Sequence, residues 1–253
     1  MKLDRRHQII DMINRQRTVK NSELMERFDI SIETVRRDLE YLEQQGYLRR
    51  VYGGAVAAGS LGGEPEYASR AKSQSEEKQA IAEAAAGLIG PEDSIYLGVG
   101  TTVQAMTRYI RSMGNVTVFT NALRTAVELS ETPGCTVILP GGQLRAKELT
   151  LSGFPAEENL AHFNVDKAFI GIGGITETGV TDFHIGEAQI HRQLIRNARQ
   201  SIVLADSGKL GVRAMTNVCA LEEIDVVVTD SKAPRHIVKA LEQAGVRVIL
   251  AKV

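Results

Sequence analysis

From about residue 75 to the C-terminus, apolar runs of strand length alternate with helix-like patterns, and this alternation restricts the fold more than any other feature. The runs are almost continuously apolar, which is typical of strands buried on both faces of a parallel sheet. The strands are predicted at 94–97, 116–119, 136–139, 167–172, 201–205, 226–229 and 247–250. Helical spacing predicts helices at 76–89, 103–113, 123–131, 186–198 and 234–244. The pattern therefore predicts an α/β domain with a mostly parallel sheet covered on both faces.

Glycines and small polar residues follow the predicted strands, where parallel strands end at a common edge of the sheet and ligands bind. Glycine lets backbone N–H groups approach a ligand closely, and hydroxyl and amide groups suit a polyol. Arg145 and Lys209 add positive charge for an anion. The candidate contacts are Gly100, Thr101, Thr102, Thr120, Asn121, Gly141, Gly142, Arg145, Asp206 and Lys209. This set predicts a pocket for a small, hydroxylated, phosphorylated molecule.

Each of these motifs has a simpler interpretation, because glycine and threonine are also ordinary turn residues after strands. Gly98-Val99-Gly100 lacks the third glycine of a dinucleotide-binding loop, and no Walker-type loop is present. His184, Glu187 and His191 have a spacing that could bind a divalent metal. We favour His184 and Glu187 as ligand contacts and a solvated His191, and we expect no metal and no cofactor.

Residues 31–42 predict a helix with one buried face and one basic face. Ser31 is a good N-cap, and Ile32, Val35, Leu39 and Leu42 recur at helical spacing. Arg36 and Arg37 then lie outside the apolar stripe. They are available for phosphates or for the acceptor edge of guanine.

The residues around this helix complete a DNA-binding module. Apolar stripes at 9–13 and 24–28, the second after a predicted Asn21 cap, indicate two more helices, and 48–54 reads as a basic hairpin. Three helices and a hairpin describe a winged helix-turn-helix whose third helix enters the major groove. The candidate DNA contacts are Ser31, Thr34, Val35, Arg36, Arg37, Arg49, Arg50, Tyr52 and Gly53. The alternative is a small helical packing module with solvated arginines.

The glycine-rich stretch after the hairpin reads as a linker, so we predict a DNA-binding domain at 1–57, a linker at 58–74 and a second domain at 75–253. Residues 1–56 hold 11 basic and 9 acidic side chains, and the remainder holds 19 and 22, which sums to the net charge of −1. This asymmetry is small, so DNA specificity has to come from local arginines.

Cys135 and Cys219 lack metal-ligand spacing, which is consistent with free thiols in a reducing cytosol. The sequence contains no signal-like run and no apolar run of membrane length. We therefore expect a cytoplasmic protein.

With both halves considered, the chain resembles a DeoR-family transcriptional regulator over essentially its whole length. The matching motifs are Thr34-Val35-Arg36-Arg37-Asp38-Leu39, Tyr52-Gly53-Gly54, Gly100-Thr101-Thr102, Thr120-Asn121, Pro140-Gly141-Gly142 with Arg145, and Asp206-Ser207 with Lys209. The resemblance implies a winged helix-turn-helix joined to a sugar-phosphate-sensing domain of the ribose-5-phosphate isomerase and CoA-transferase type. It also implies that Lys209 and the glycine-threonine loop hold a phosphate, with Thr120 and Asn121 near the polyol.

The sequence departs from the family pattern at three positions. Gly98 stands where an acidic residue is frequent, Gly208 replaces a common serine, and Leu210 replaces a common phenylalanine.

The function we expect is repression of a carbohydrate-utilisation operon. The partners would be double-stranded operator DNA, a phosphorylated sugar or polyol that releases the protein from it, and further copies of the chain in a dimer or tetramer. The alternative is a phosphosugar isomerase-like enzyme with an added N-terminal module, using Glu187, Asp206 or Lys209 for acid-base chemistry. No second carboxylate can be paired with Glu187 near a strand end, so we expect no catalytic residues and no enzyme.

Overall fold

The computed structural model describes residues 2–16, 18–44, 47–51, 53–57, 64 and 66–253. The N-terminal part contains three helices and a three-stranded antiparallel sheet in the order β1-β3-β2. Their bounds are α1 Lys2–Gln16, β1 Thr18–Lys20, α2 Asn21–Phe28, α3 Ile32–Gln44, β2 Leu48–Val51 and β3 Gly54–Ala57. This confirms the predicted helix-turn-helix with a β-hairpin wing after the third helix.

The sequence predicted the N-cap of α3 correctly and the N-cap of α2 wrongly. The Ser31 hydroxyl accepts from the backbone N–H of Thr34 at 3.3 Å, which confirms Ser31 as the start of α3. The predicted Asn21 cap is wrong, because the N-cap position of α2 is Lys20. Asn21 already lies in the helix, and its backbone N–H donates to Gly53 O in the wing turn at 2.8 Å.

A buried carboxylate joins α1 to α3. Asp38 is fully buried, and its two oxygens accept from Arg5 at 2.7 Å and from Arg6 at 2.8 Å. The Arg6 guanidinium also lies 3.7 Å from the centre of the Tyr41 ring. These contacts fix the recognition helix α3 against the rest of the winged domain.

The larger part is built on a seven-stranded sheet in which every neighbouring pair is parallel. The strands, all at predicted places, are β4 Ser94–Leu97, β5 Val116–Thr120, β6 Cys135–Ile138, β9 Val165–Gly171, β12 Ala198–Leu204, β14 Val226–Asp230 and β15 Arg247–Ala251. Their order is β15-β14-β12-β9-β4-β5-β6.

Helices cover both faces of this sheet, as its nearly continuous apolar strands require. Alternate residues of one strand face opposite ways: Ile95 and Leu97 pack with one cluster, and Tyr96 with another. The helices are α5 Ser75–Ala86, α6 Thr101–Gln104, α7 Thr107–Ile110, α8 Leu123–Ser130, α9 Phe154–Ala161, α10 Ile185–Asn197 and α11 Arg235–Gln243. The single helix predicted at 103–113 is wrong, because the chain forms the two short helices α6 and α7 there.

Several short elements lie outside the predicted pattern. Helix α4, Tyr67–Lys72, forms inside the stretch predicted as a linker. The others are helix α9, the hairpin β7 Gln143–Arg145 with β8 Thr150–Ser152, and an antiparallel sheet of β10 Gly174–Thr176, β11 Gly179–Asp182 and β13 Thr216–Cys219. Each of these strands carries only one or two apolar side chains, so none forms an apolar run like those of the large sheet.

Cys135 and Cys219 are both free and half-buried. Across the part of the chain that the structure describes, no helix combines the length and apolar character needed to cross a membrane.

Candidate functional site

The candidate site lies where the strand order of the large sheet reverses. From β4 the chain adds β5 and β6 on one side, and then continues with β9, β12, β14 and β15 on the other. Two glycines bring the backbones together at this switch point. Gly100 has φ +126°, and a Cβ on Gly171 would lie 2.2 Å from Val99 O. Ligands of open parallel sheets bind in the crevice that such a switch creates.

The first cavity at this crevice, here called the Lys209 cavity, contains the predicted residues Gly100, Thr101, Thr102, Asp206 and Lys209. Its other lining residues are Gln44, Tyr47, Ser69, Arg70, Ser73, Lys78, Gly171, Ile172 and Leu204. Asp206 and Lys209 stand at the two ends of the short turn that follows β12, and the Asp206 carboxylate accepts from the Gly208 N–H at 3.1 Å. The turn therefore holds both charged side chains beside Thr101 and Thr102.

The charges in the Lys209 cavity are not fully paired. Among the described residues, the Lys209 ammonium forms no hydrogen bond or ion pair; it lies 5.4 Å from the centre of the Phe183 ring. Burial lowers the pKa of Lys209 and raises the pKa of Asp206. The Asp206 carboxylate offsets only part of the effect of burial on Lys209, so an anion in this cavity would stabilise the ammonium further.

Lys78 is a functional candidate that the sequence analysis missed. It is buried, and its ammonium donates to Arg70 O at 2.8 Å and to Ser73 O, and lies 3.8 Å from Asp206 Oδ2. Its charged neighbours Glu76 and Glu77 make it read as part of a solvated first turn. The available signal was its place on the buried stripe of α5, in line with Ala82 and Ala85.

A second cavity, here called the Glu187 cavity, shares Gly100 and Arg70 with the first. Glu187 is buried at the start of α10 and accepts from Thr150 Oγ1 at 2.5 Å, with Arg145 Nη1 at 3.7 Å. Burial raises the pKa of Glu187. Arg145 is also paired with Glu64. The structure thus places predicted residues Arg145 and Glu187 together, next to the Lys209 cavity.

Thr120 and Asn121 are fully buried and line neither cavity. The Thr120 hydroxyl accepts from the Ala122 N–H at 3.1 Å. The Asn121 amide donates to Glu187 Oε2 at 3.2 Å and accepts from the Tyr96 hydroxyl at 2.8 Å. In this arrangement Asn121 positions Glu187 instead of facing the open space itself.

Three other predicted contacts also lie outside the lining of both cavities: Gly141, Gly142 and His184. Gly141 and Gly142 are exposed, and a Cβ on Gly142 would lie 2.7 Å from Ser152 O, so this glycine permits close packing on β8. His184 precedes α10 as its N-cap residue.

The expectation of a solvated His191 is wrong, because its side chain is completely buried. Its Nδ1 lies 3.3 Å from Asp182 Oδ2; burial raises the pKa of Asp182, but the facing His191 ring and the backbone N–H groups of Phe183 and His184 lower it overall. A Cβ on Gly98 would lie 3.2 Å from Phe169 O and 3.7 Å from His191 Nε2. Gly98, where the family often has an acid, is therefore tightly enclosed by backbone.

Across the described part of the chain, no His, Cys, Asp or Glu side chains are grouped closely enough to hold a metal ion.

The proposed DNA-contacting face is open at the recognition helix. Arg36 and Arg37 are exposed, and Arg36 pairs with Glu33 at 3.1 Å while both side chains stay about two-thirds exposed. Arg50 in the wing pairs with Glu43 at 2.6 Å. Gly53 has φ +82° at the wing turn, a conformation that favours glycine.

Val35 cannot contact DNA directly, which corrects its inclusion among the predicted contacts. It is fully buried in the core of the winged domain, because it belongs to the apolar stripe of α3. Ser31 and Thr34 remain at the N-terminus of α3, with their hydroxyls 3.1 Å apart. The side chain of Arg49 and the whole of Tyr52 lie outside the described residues.

Two family models match the two parts of the chain. Residues 5–60 match the DeoR-like helix-turn-helix domain, and residues 73–231 match the DeoR C terminal sensor domain. The chain belongs to the DeoR family. It is thus a DNA-binding transcriptional regulator, and the family does not support the alternative of an isomerase.

Curated relatives align with this DeoR-family chain over nearly its whole length. The HTH-type transcriptional regulator GolR of Listeria innocua is 32% identical, and the alignment covers 98% of each chain. The HTH-type transcriptional repressor GlcR of Bacillus subtilis is 34% identical over 96% of this chain and 94% of its own. The glycerol-3-phosphate regulon repressor of Escherichia coli is 32% identical over 95% of this chain and 96% of its own.

Solved structures similar to the DeoR-family chain include ribose 5-phosphate isomerase A from Methanocaldococcus jannaschii. That structure is 20% identical, with a TM-score of 0.40, and the match covers 55% of each chain.

Proposed function

We propose that this DeoR-family regulator represses a carbohydrate-utilisation operon and is released from its operator by a small phosphorylated sugar or polyol. The observation that supports this ligand class is the Lys209 ammonium, which lines the cavity and whose burial is only partly offset by the Asp206 carboxylate. A phosphate would supply that charge and accept hydrogen bonds from the hydroxyls of Thr101 and Thr102. Lys78 adds a second buried cation to the same cavity.

The Glu187 cavity suits the hydroxylated part of the same ligand. Glu187 and Thr150 provide oxygen atoms, and Arg145 provides donors, so the wall of this cavity can accept and donate hydrogen bonds. Gly100 separates the two cavities without a side chain, and it lines both. A phosphate beside Lys209 and a short polyol chain reaching toward Glu187 would occupy them together.

The output of the regulator is operator binding through α3 and the wing. Arg36 and Arg37 are exposed cations on α3, and arginine pairs well with guanine or phosphate. One winged domain makes few base contacts, so we propose that two or more copies bind together. Among the described residues, every exposed large apolar side chain lies between Met113 and Val253. This distribution favours assembly through the sensing domain. Since it acts on DNA, we place the protein in the cytoplasm.

Release requires that the ligand bind the two arrangements of the protein unequally. A ligand with equal affinity for the DNA-bound and free forms shifts nothing, however tightly it binds. The preference has to come from contacts that differ between the two forms.

A thermal-shift screen tests the ligand class. Phosphorylated sugars and polyols should raise the melting temperature of the full chain, and their unphosphorylated parents should not, because binding to the native state stabilises it. Lys209→Met should abolish the shift, whereas Lys239→Met, which removes an exposed lysine of α11, should leave it unchanged.

The same pair of variants separates sensing from DNA binding. In a gel-shift titration at fixed salt, Lys209→Met should bind operator DNA normally and no longer respond to the stabilising compound. A response that survives in Lys209→Met would contradict the role of Lys209. Stabilisation by an unphosphorylated parent alone would contradict the phosphorylated ligand class.

A further inference from the structure

The winged domain docks on the sensing domain at the turn that carries Lys209. The Tyr47 hydroxyl donates to Gly208 O at 2.5 Å, and His7 Nε2 lies 2.9 Å from Ser207 O. Val212, three residues after Lys209, is buried in the apolar cluster of the winged domain. These contacts join the DNA-binding domain to the residues proposed to bind phosphate.

Tyr47 also forms part of the wall of the Lys209 cavity, together with Gln44. Gln44 is the last residue of α3, and Tyr47 directly precedes β2. The wall of the cavity therefore includes residues from the connection between the recognition helix and the wing. Burial and the nearby Asp206 carboxylate raise the pKa of Tyr47 well above its ordinary value, so its hydroxyl keeps its proton.

Gly208 makes this close docking possible. A Cβ at this position would lie 2.9 Å from the Tyr47 hydroxyl oxygen, 2.6 Å from Gln74 Nε2 and 3.0 Å from Asp206 Oδ1. Contacts under 3.0 Å force atoms to shift. The serine that is common at this position in the family would thus push against Tyr47, whereas glycine leaves room for it.

We propose that the Lys209 cavity is a two-domain site, in which Tyr47 of the winged domain binds the phosphate group of the ligand together with Lys209. This inference rests on the proposed function, because it assigns a further contact to the same ligand. A phenol has one proton to donate, so the Tyr47 hydroxyl bonds either to Gly208 O or to the ligand. A hydrogen bond to an anion is about twice as strong as one to a neutral carbonyl, so the Tyr47 hydroxyl donates to the ligand when it is bound. Ligand binding then replaces a hydrogen bond between the domains, at the base of the recognition helix.

The test compares ligand affinity in two variants that each lose one hydroxyl. Tyr47→Phe removes the proposed contact, and Tyr109→Phe removes a half-buried hydroxyl on α7, whose long 3.4 Å contact is with Gln79 O. Isothermal titration of the full chain uses inorganic phosphate, glycerol 3-phosphate and glucose 6-phosphate as probes. Tyr47→Phe should weaken the probe that binds by about tenfold, because a charge-assisted hydrogen bond is lost. Tyr109→Phe should bind like the original protein.

Gly208→Ser provides a second variant that acts from the sensing domain. It should displace Tyr47 and weaken binding of the same probe, and hydrogen exchange of residues 41–44, 47 and 48 should become faster in the ligand-free protein. This arm keeps the proposal testable if Tyr47→Phe fails to fold.

The titrations distinguish failure of the two-domain site from failure of the proposed ligand class. A probe that binds the original protein and Tyr47→Phe equally well would overturn the two-domain site and leave the phosphate pocket at Lys209 intact. If the original protein binds none of the three probes, the two-domain site and the proposed ligand class both fail.

Discussion

Removing the charge of Asp38 should loosen the winged domain, because this carboxylate is buried against two arginines. Asp38→Asn keeps the shape of the side chain and leaves Arg5 and Arg6 without their counter-charge. Breaking a buried ion pair in this way costs about 3–5 kcal/mol. The side chains of Arg5 and Arg6 are 16% and 13% exposed, so small rotations bring their charged ends to water, and we expect the lower end, about 3 kcal/mol.

Hydrogen exchange of the full chain measures this cost locally, without requiring two-state unfolding of a two-domain protein. A loss of about 3 kcal/mol raises the opening constant of α1 and α3 by about two orders of magnitude, since each 1.4 kcal/mol is tenfold. Exchange in the central strands β9 and β12 should not change. Operator affinity should fall as well, because α3 loses its fixed position.

Glu33→Gln is the matched control, because it removes a carboxylate that pairs with an arginine on the surface of the same helix. Both side chains are about two-thirds exposed, and such a pair contributes at most about 0.5 kcal/mol. The explanation of Asp38 would be refuted if both variants changed the exchange of α1 and α3 to the same extent, or if Asp38→Asn changed it by less than about tenfold.

Three further predictions concern the DNA face and the Lys209 cavity. Arg36→Ala should weaken operator binding by about 1–3 kcal/mol if the guanidinium reads guanine, and an unchanged gel-shift titration at fixed salt would exclude that role. Ligand affinity should fall as pH rises through the pKa of Lys209, because only the ammonium form attracts phosphate. Burial lowers this pKa from 10.5, so titration calorimetry across the alkaline range should show the loss of affinity. Lys209→Met should raise the melting temperature of the ligand-free protein at neutral pH, because the cost of burying the ammonium exceeds its attraction to Asp206; an unchanged or lower value would mean that this attraction offsets the cost of burial.

The sequence predicted the large sheet well because its strands are almost continuously apolar and alternate with helical patterns. Val226–Asp230 is buried at every position, and such a strand cannot be mistaken for a surface segment. The hairpin of β7 and β8 and the small sheet around β11 were missed because each of their strands carries only one or two apolar side chains, which leaves no apolar run to recognise.

The sequence predicted part of the candidate site, mainly residues that directly follow strands of the parallel sheet. Gly100, Asp206 and Lys209 follow strands directly, so the rule for parallel sheets places them at one edge. Lys78 and Tyr47 come from a helix and from the winged domain, and only the tertiary structure brings them to that edge. Asn121 follows a strand too, yet its amide turns inward to Glu187, which sequence spacing does not indicate.

Asp38 and Lys209 show two opposite uses of a buried charge in the same chain. Asp38 is enclosed with two arginines, so its burial is compensated in the folded protein and serves to hold α1 against α3. Lys209 has only the nearby Asp206 carboxylate to offset its burial, and the cost of desolvation still outweighs this attraction in the ligand-free fold. The phosphate of the proposed ligand would reduce that cost, and it would do so in a cavity whose wall includes Tyr47 of the winged domain. If the domains separated, Tyr47 would leave this wall, so the proposed ligand would favour one arrangement of the two domains, as a metabolite-responsive regulator requires.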